Sequence, residues 1–472
     1  MGSPQTAQST SQPTLIRGLS LMDSVLLLVG GIIGSAIFLT AKDVANAVHS
    51  PALFLGVWIA GGIISMLACF AFAELGAMYP QAGGPYLYLR EAYGDLVAFL
   101  YGWMIFTVNN SGTVAALSVG FAAYFSVLVP AIGPQHVVLQ IGSWSLTRTH
   151  LVALATNALL TWVNVVGLRR AAVLQNIATW LKFVAIAAFI MLGFLVGNGS
   201  WAHFSSAAQS AGAVPAGSWP WISGIGVALI AVFWAYDGWV YLGWAAGEIK
   251  DPQRNIPRGL LIGIVVVAAT YVAMNAVYLY ALDLNSIATG ETTTARAAAE
   301  KLFSPAAGRW LAALIALSSF GALSACVLAG ARVYYAMAQD GLFFRRMAEV
   351  HPTWRTPAFS LVVQAIWGGI LTLSGRYDQL FTYIMFMGVV SYALSVLALF
   401  ILRRTRPDVE RPYRCTGYPW VPALYLIIAA GWSINTLLQR PTESLWGMLI
   451  VLLGVPCYFY WRWANRRLKA QR

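Results

Sequence analysis

Long apolar runs dominate this chain and leave it few ways to fold. They lie near 22–46, 52–79, 95–129, 150–167, 171–197, 221–247, 258–282, 307–338, 358–375, 378–402, 421–439 and 444–461. Each holds the roughly 20 apolar residues that cross about 30 Å of hydrocarbon. They are continuous and far longer than a tilted barrel strand of about 10 residues, so the reading is an all-α polytopic membrane protein with twelve transmembrane helices. With 59% hydrophobic and 10% charged residues, against roughly 25% charge in soluble domains, a soluble enzyme or binding module is excluded.

The net charge of +12 does not mark a nucleic-acid surface, because the basic residues are scattered between apolar runs. With both termini inside, the cytoplasmic segments carry Arg17, Arg169, Arg170, Lys250, Arg403, Arg404 and the basic end at 462–472. The outer segments carry only Lys42, Arg148, Arg296, Lys301, Arg309, Arg376 and Arg440. Counted over the whole chain, 21 Lys and Arg residues fall inside and seven outside, a bias of three to one that by the positive-inside rule puts both termini in the cytoplasm. The membrane is expected to be the cytoplasmic one. The polar stretch 1–16 reads as a disordered cytoplasmic tail. It lacks the basic and apolar regions of a cleaved signal. Cys69, Cys326, Cys415 and Cys457 have neither metal-ligand spacing nor a disulfide framework.

Two spans are interrupted. The first contains Gly30-Gly31-Ile32-Ile33-Gly34-Ser35-Ala36, and the sixth Phe233-Trp234-Ala235-Tyr236-Asp237-Gly238-Trp239. Broken backbone in lipid is tolerated only where it lines a cavity or is buried in protein. Paired breaks at matching places in two halves point to a transporter site built from inverted repeats. We therefore read 17–197 as a first repeat of five spans and 221–402 as a second. The segment 403–461 then holds a basic loop and the last two spans. An unwound turn offers N–H groups to a carboxylate at the start of one half-helix and carbonyls to an ammonium at the end of the other. A zwitterionic α-amino acid fits both.

At these residues the chain resembles the amino acid–polyamine–organocation superfamily, and within it the bacterial relatives of the L-type amino acid transporters. The resemblance rests on GGIIGSAIF (30–38), FAELGAMYPQAGGPYLYLREAYG (72–94), FWAYDGWVYLGWAAGEIKDPQRNIPRG (233–259), LSSFGALSACVLAGARVYYAMAQDG (317–341), HPTWRTPAF (351–359) and LRRTRPDVERPYR (402–414), in that order. It implies a five-plus-five inverted-repeat (LeuT-type) core with discontinuous helices 1 and 6 plus two extra helices. It also implies alternating access and transport without sodium. Position by position, the substrate carboxylate would meet backbone at Gly34, Ser35 and Ala36, and its ammonium the carbonyls of Ile32, Trp234 and Asp237. Trp234 would be the aromatic gate. Ala36 departs from the glycine usual in the family, which favours a small substrate. Animal members join a heavy subunit through a cysteine in the outer loop here at roughly 130–149. That loop has no cysteine, so no such subunit is expected.

Lys182 lies about twelve residues, roughly 18 Å, into span 5, too deep to snorkel, and intramembrane lysines usually mark function. In relatives with a lysine here the ammonium takes the sodium position, against the first break near Gly31 and span 8 near Ser318 and Ser319. It is either a fixed cation surrogate or a proton carrier. Asp237 either caps the second half of span 6 or serves substrate or proton directly. Glu74 and Glu248 read as gate salt bridges or interfacial ion pairs. Asn109, Asn110, Ser111 and Thr113 either line the cavity or join helices. All five histidines fall at span ends or in loops, so neither a metal site nor a histidine relay is expected. With no phosphate-binding loop, nucleophile–base pair or cofactor motif, an enzyme is not expected. The leading function is a sodium-independent exchanger of small neutral L-amino acids. A proton-coupled symporter and, more distantly, a non-transporting amino acid sensor are the alternatives.

Overall fold

A computed structural model describes residues 14–48, 50–205, 219–375 and 377–470. The expected tail at 1–16, Arg376 and the last two residues fall wholly or largely outside them. Among the described residues ten helical segments are long and apolar enough to cross a membrane, two fewer than the sequence reading. The two that fall short are the expected spans at 150–167 and 358–375. The first is a helix at Arg148–Val165 that begins with Arg148 and His150, and the second, Ala358–Ser374, has only 17 residues.

The first span begins at Ser20, whose hydroxyl and the Asp23 carboxylate form a reciprocal capping box. It is divided into α1 (Leu21–Ile32), α2 (Ala36–Leu39) and α3 (Ala41–Ala47). Ser50 and Pro51 start α4 (Pro51–Met78), and a basic-face helix α5 (Pro85–Tyr93) follows. The third span, α6 (Asp95–Met104) and α7 (Asn110–Leu128), is joined by a π-helical turn at Ile105–Asn109, a distortion that often accompanies functional sites. A short hairpin, β1 (Val137–Ile141) and β2 (Trp144–Thr147), leads to α8 (Arg148–Val165) and α9 (Leu168–Leu195).

The sixth span is α10 (Trp219–Tyr236) and α11 (Val240–Trp244), parted at Asp237–Trp239. Then come α12 (Pro252–Ala281), the short α13 (Leu284–Thr289) and α14 (Thr294–Leu302), and α15 (Ala307–Gln339). The chain ends with α16 (Ala358–Ser374), α17 (Tyr377–Thr405), α18 (Trp420–Gln439), α19 (Pro441–Leu452) and α20 (Gly454–Ala470). The expected last span is thus parted at Leu453. At the centre α4 packs on α12 and α7 on α15, with α1 wedged against α9, α12 and α15.

The basic face is tied shut. Gly18 and Leu19 N–H groups donate to the Glu248 carbonyl at 2.8 and 2.9 Å, and the Lys250 N–H returns to the Leu19 carbonyl at 2.8 Å. Arg17 donates to the carbonyls of Ile249 and Pro80. Below this strap the Glu248 carboxylate accepts two bonds from Arg332, at 2.8 and 3.0 Å, with both side chains wholly buried. Glu74, also wholly buried, accepts from Arg403 at 3.0 and 2.5 Å and from the Cys415 N–H at 2.6 Å, with Arg411 3.3 Å away. The two glutamates are therefore both paired with arginine inside the protein. Removing one partner of a buried pair strands the other charge, at a cost of about 3–5 kcal/mol. Arg332→Met should lower the thermal midpoint of the detergent-solubilised protein sharply, and the Glu248→Gln/Arg332→Met double variant should recover part of the loss. A single variant as stable as wild type would contradict this role.

Candidate functional site

Helix α1 stops at Ile32 because Ile33, with ψ of 83°, leaves helical geometry, and the chain turns helical again at Ala36. The turn frees carbonyls that lipid cannot satisfy, and side chains from three neighbouring helices serve them. From α9, the wholly buried Lys182 ammonium donates to the carbonyls of Gly30 at 2.7 Å and Ile33 at 2.5 Å, and stands 3.5 Å from that of Ser318. From α15, the Ser318 hydroxyl lies 3.0 Å from the Ile33 and Gly34 carbonyls. From α12, the buried Tyr271 hydroxyl lies 3.0 Å from the Ile32 carbonyl and 2.8 Å from that of Ala235 in the other interrupted span. One phenol thus bridges both breaks.

Glycines make this approach possible. A methyl group on Gly321 would stand 3.3 Å from the Lys182 ammonium, and one on Gly31 would collide with the Tyr241 ring at 2.6 Å. Gly238 has φ of +122°, a region side chains rarely adopt, and its missing Cβ would lie 3.3 Å from the Gly31 backbone. The two breaks therefore touch backbone to backbone.

The expected residues divide between two settings. Lys182, Ser318, Ile32 and Gly34 meet at the first break, whereas the lysine reaches the Gly30 and Ile33 carbonyls and makes no bond to Gly31. Ser319 Oγ is buried without a hydrogen-bond partner among the described residues, 3.8 Å from where a Gly120 Cβ would be on α7. Ser35 and Ala36 begin the outer half of the first span, with Ala36 buried. The Asp237 carboxylate turns away from the first span, accepting the Gly238 N–H at 2.9 Å and the Tyr392 hydroxyl at 2.6 Å. With Ser65, Asn109, Trp239, Tyr392 and Trp432 it lines a cavity of about 30 Å³, room for one or two waters.

Trp234 is half-buried and lines a separate vestibule of about 680 Å³, together with Thr40, Asp43, Asn46 and Arg440. Trp432 borders both spaces. Within the polar cluster of α7 the roles separate. Asn109 faces the inner cavity, whereas Asn110 joins helices through Tyr334, Gln364 and the Cys326 thiol. Ser111 and Thr113 bond their own helix. Sequence reasoning missed Tyr271, Tyr392 and Trp432. Each is one aromatic among many, and only a fold can show which of them faces a break.

A membrane-embedded bundle with two apposed helix breaks beneath a vestibule defines a transport protein of the broken-helix kind. The chain belongs to the amino acid permease family, whose model matches residues 19–456. It is 29% identical to the serine/threonine exchanger SteT of Bacillus subtilis, over 95% of this chain and 98% of that one. It is 28% identical to the b(0,+)-type amino acid transporter 1 of Homo sapiens, covering 96% and 89%. The large neutral amino acids transporter small subunit 2 of Homo sapiens is 29% identical, covering 98% and 84%. The name of that last protein makes it one subunit of a larger assembly.

Removing the Lys182 ammonium leaves buried carbonyls without a donor, and each unsatisfied group costs about 1–3 kcal/mol. Lys182→Ala should reduce transport roughly tenfold or more, equivalent to about 1.4 kcal/mol, while the protein remains monodisperse on gel filtration. Wild-type rates would rule out a role for this cation in the first break.

Proposed function

We propose that this protein exchanges small neutral L-amino acids across the cytoplasmic membrane by alternating access, without sodium, and with both termini in the cytoplasm. The observation that carries this is the placement of Lys182. A fixed ammonium already occupies the carbonyl cluster at the first break, so no mobile metal cation is needed to hold it. In this reading the substrate carboxylate meets the backbone at Gly34, Ser35 and Ala36. Its ammonium joins the carbonyls of Ile32, Trp234 and Asp237, sharing Ile32 with Tyr271. Trp234, between vestibule and break, acts as the gate.

The packing supports an inverted repeat of five spans with α8 and α16 included as crossings. The contact of α1 with α12 is matched by that of α10 with α4, and α9 with α15 by α17 with α7. Likewise α8 against α7 is matched by α16 against α15. With α18 to α20 forming two further spans, the count becomes twelve. The strap on the basic face and the vestibule on the other correspond to a state closed toward the cytoplasm. A heavy subunit is not part of the proposal, because the hairpin segment at 130–149 carries no cysteine to join one.

Exchange predicts that proteoliposomes preloaded with unlabelled serine or alanine take up labelled substrate much faster than empty ones, with no response to a sodium gradient. Equal uptake into empty vesicles under an imposed pH gradient would replace exchange with proton symport.

The substrate size rests on Ala36 and on the small cavity beside Asp237, whose mostly apolar walls carry a few polar groups from Ser65, Asn109, Asp237 and Tyr392 and leave room only for a short side chain. Close-packed sites respond to a single methyl group, and one methylene in discrimination is worth about 1–3 kcal/mol. Ala36→Gly should broaden competition from glycine, alanine and serine toward leucine and phenylalanine. An unchanged rank order, or a wild type that already prefers the large side chains, would remove the size argument and leave transport intact.

A further inference from the structure

A third cavity, of about 730 Å³, opens on the basic face, with no residue of either helix break in its walls. It lies where the segment before α1, the α8–α9 turn and the loop before α16 converge. Its walls carry four cations, Arg17, Arg169, Lys250 and Arg355, against one acid, Asp23. That carboxylate is already occupied by the Ser20 N–H and hydroxyl and by the Asn176 amide. None of the four cations forms a salt bridge among the described residues. Arg17 and Arg355 donate only to Ile249, Pro80 and Thr14. Arg355 is held in a left-handed conformation, with φ of +56°. Four cations gathered around one space against a single carboxylate repel one another, and an anion would relieve that repulsion.

The shape says which anion. Val173 lines the cavity and begins an exposed apolar row along α9, continuing through Ile177 and Trp180, with exposures of 49, 53 and 48%. Spacings of three and four residues place these on one helix face. Trp354, another wall residue, is 39% exposed. A cationic pocket at the head of a membrane-facing apolar row matches a molecule with an anionic head and hydrocarbon tails. Arginine suits phosphate through its paired donors, and basic pockets between spans bind lipid head groups.

We propose that this cavity binds the phosphate head group of an anionic phospholipid, with acyl chain along Val173, Ile177 and Trp180. Bound there, the head group ties the strap residues Arg17 and Lys250 to the start of α9 and to the loop before α16. The probe is phosphatidylglycerol. Native mass spectrometry of the full-length protein, taken from phosphatidylcholine vesicles with and without phosphatidylglycerol, reads how much of the anionic lipid stays bound. Wild type should retain it several-fold more than the Arg169→Gln/Lys250→Gln variant. A Lys301→Gln/Arg309→Gln variant, which removes the same charge from the opposite face, should behave as wild type. Added inorganic phosphate should not displace the lipid. Equal retention by wild type and the pocket variant, or equal loss in both variants, would overturn the site. Displacement by inorganic phosphate would show a free-phosphate site and overturn the lipid.

Discussion

In hydrocarbon a carbonyl without a donor is expensive, and this fold is arranged around the places where it has such carbonyls. The first break exposes those of Gly30, Ile32, Ile33 and Gly34. They are met by an ammonium from α9, a hydroxyl from α15 and a phenol from α12. An isolated buried ammonium would itself carry a desolvation penalty of several kcal/mol. Here it stands at the C-terminal end of α1, where the helix dipole is negative and favours a cation. Lysine and break thus stabilise each other.

That mutual dependence fixes how the core must pack. Gly321 has to be small for the lysine to arrive, and Gly31 and Gly238 have to be small for the two interrupted spans to meet. Tyr271 then links the spans through a single hydroxyl, so a movement of the sixth span relative to the first must break or remake one of its bonds. The substrate, in the proposed reading, enters a backbone network that is already complete and changes it by adding its own two charges. That reading favours exchange, because an empty site keeps its carbonyls partnered only in the arrangement seen here.

The basic face uses a different economy of interactions. Its closure combines a short backbone pairing at Leu19 and Ile249 with two buried carboxylate–arginine clusters. The vestibule side places the aromatic rings of Trp234 and Trp432 along its wall, beside Asp43 and Arg440. In the proposed alternating-access reading one set must break while the other holds, and aromatic contacts separate at less cost than desolvated ion pairs.

Much of this was legible in the sequence. Apolar run length required membrane helices, and the glycines of 30–34 with the Asp-Gly at 237–238 located both breaks. Lys182 announced itself because a lysine that deep needs a partner. Other features were beyond reach of sequence. The carbonyls that Lys182 reaches depend on where the chain leaves helical geometry, which moved its partners from Gly31 to Gly30 and Ile33. The orientation of Ser319 toward α7, the turn of Asp237 toward Tyr392, and the burial of Glu74 and Glu248 follow from how distant helices pack. Periodicity along one helix carries no record of its neighbours. The chain by itself determined that there would be two breaks and a buried cation. Only the tertiary structure decided which groups close them, because each donor comes from a span far away in sequence.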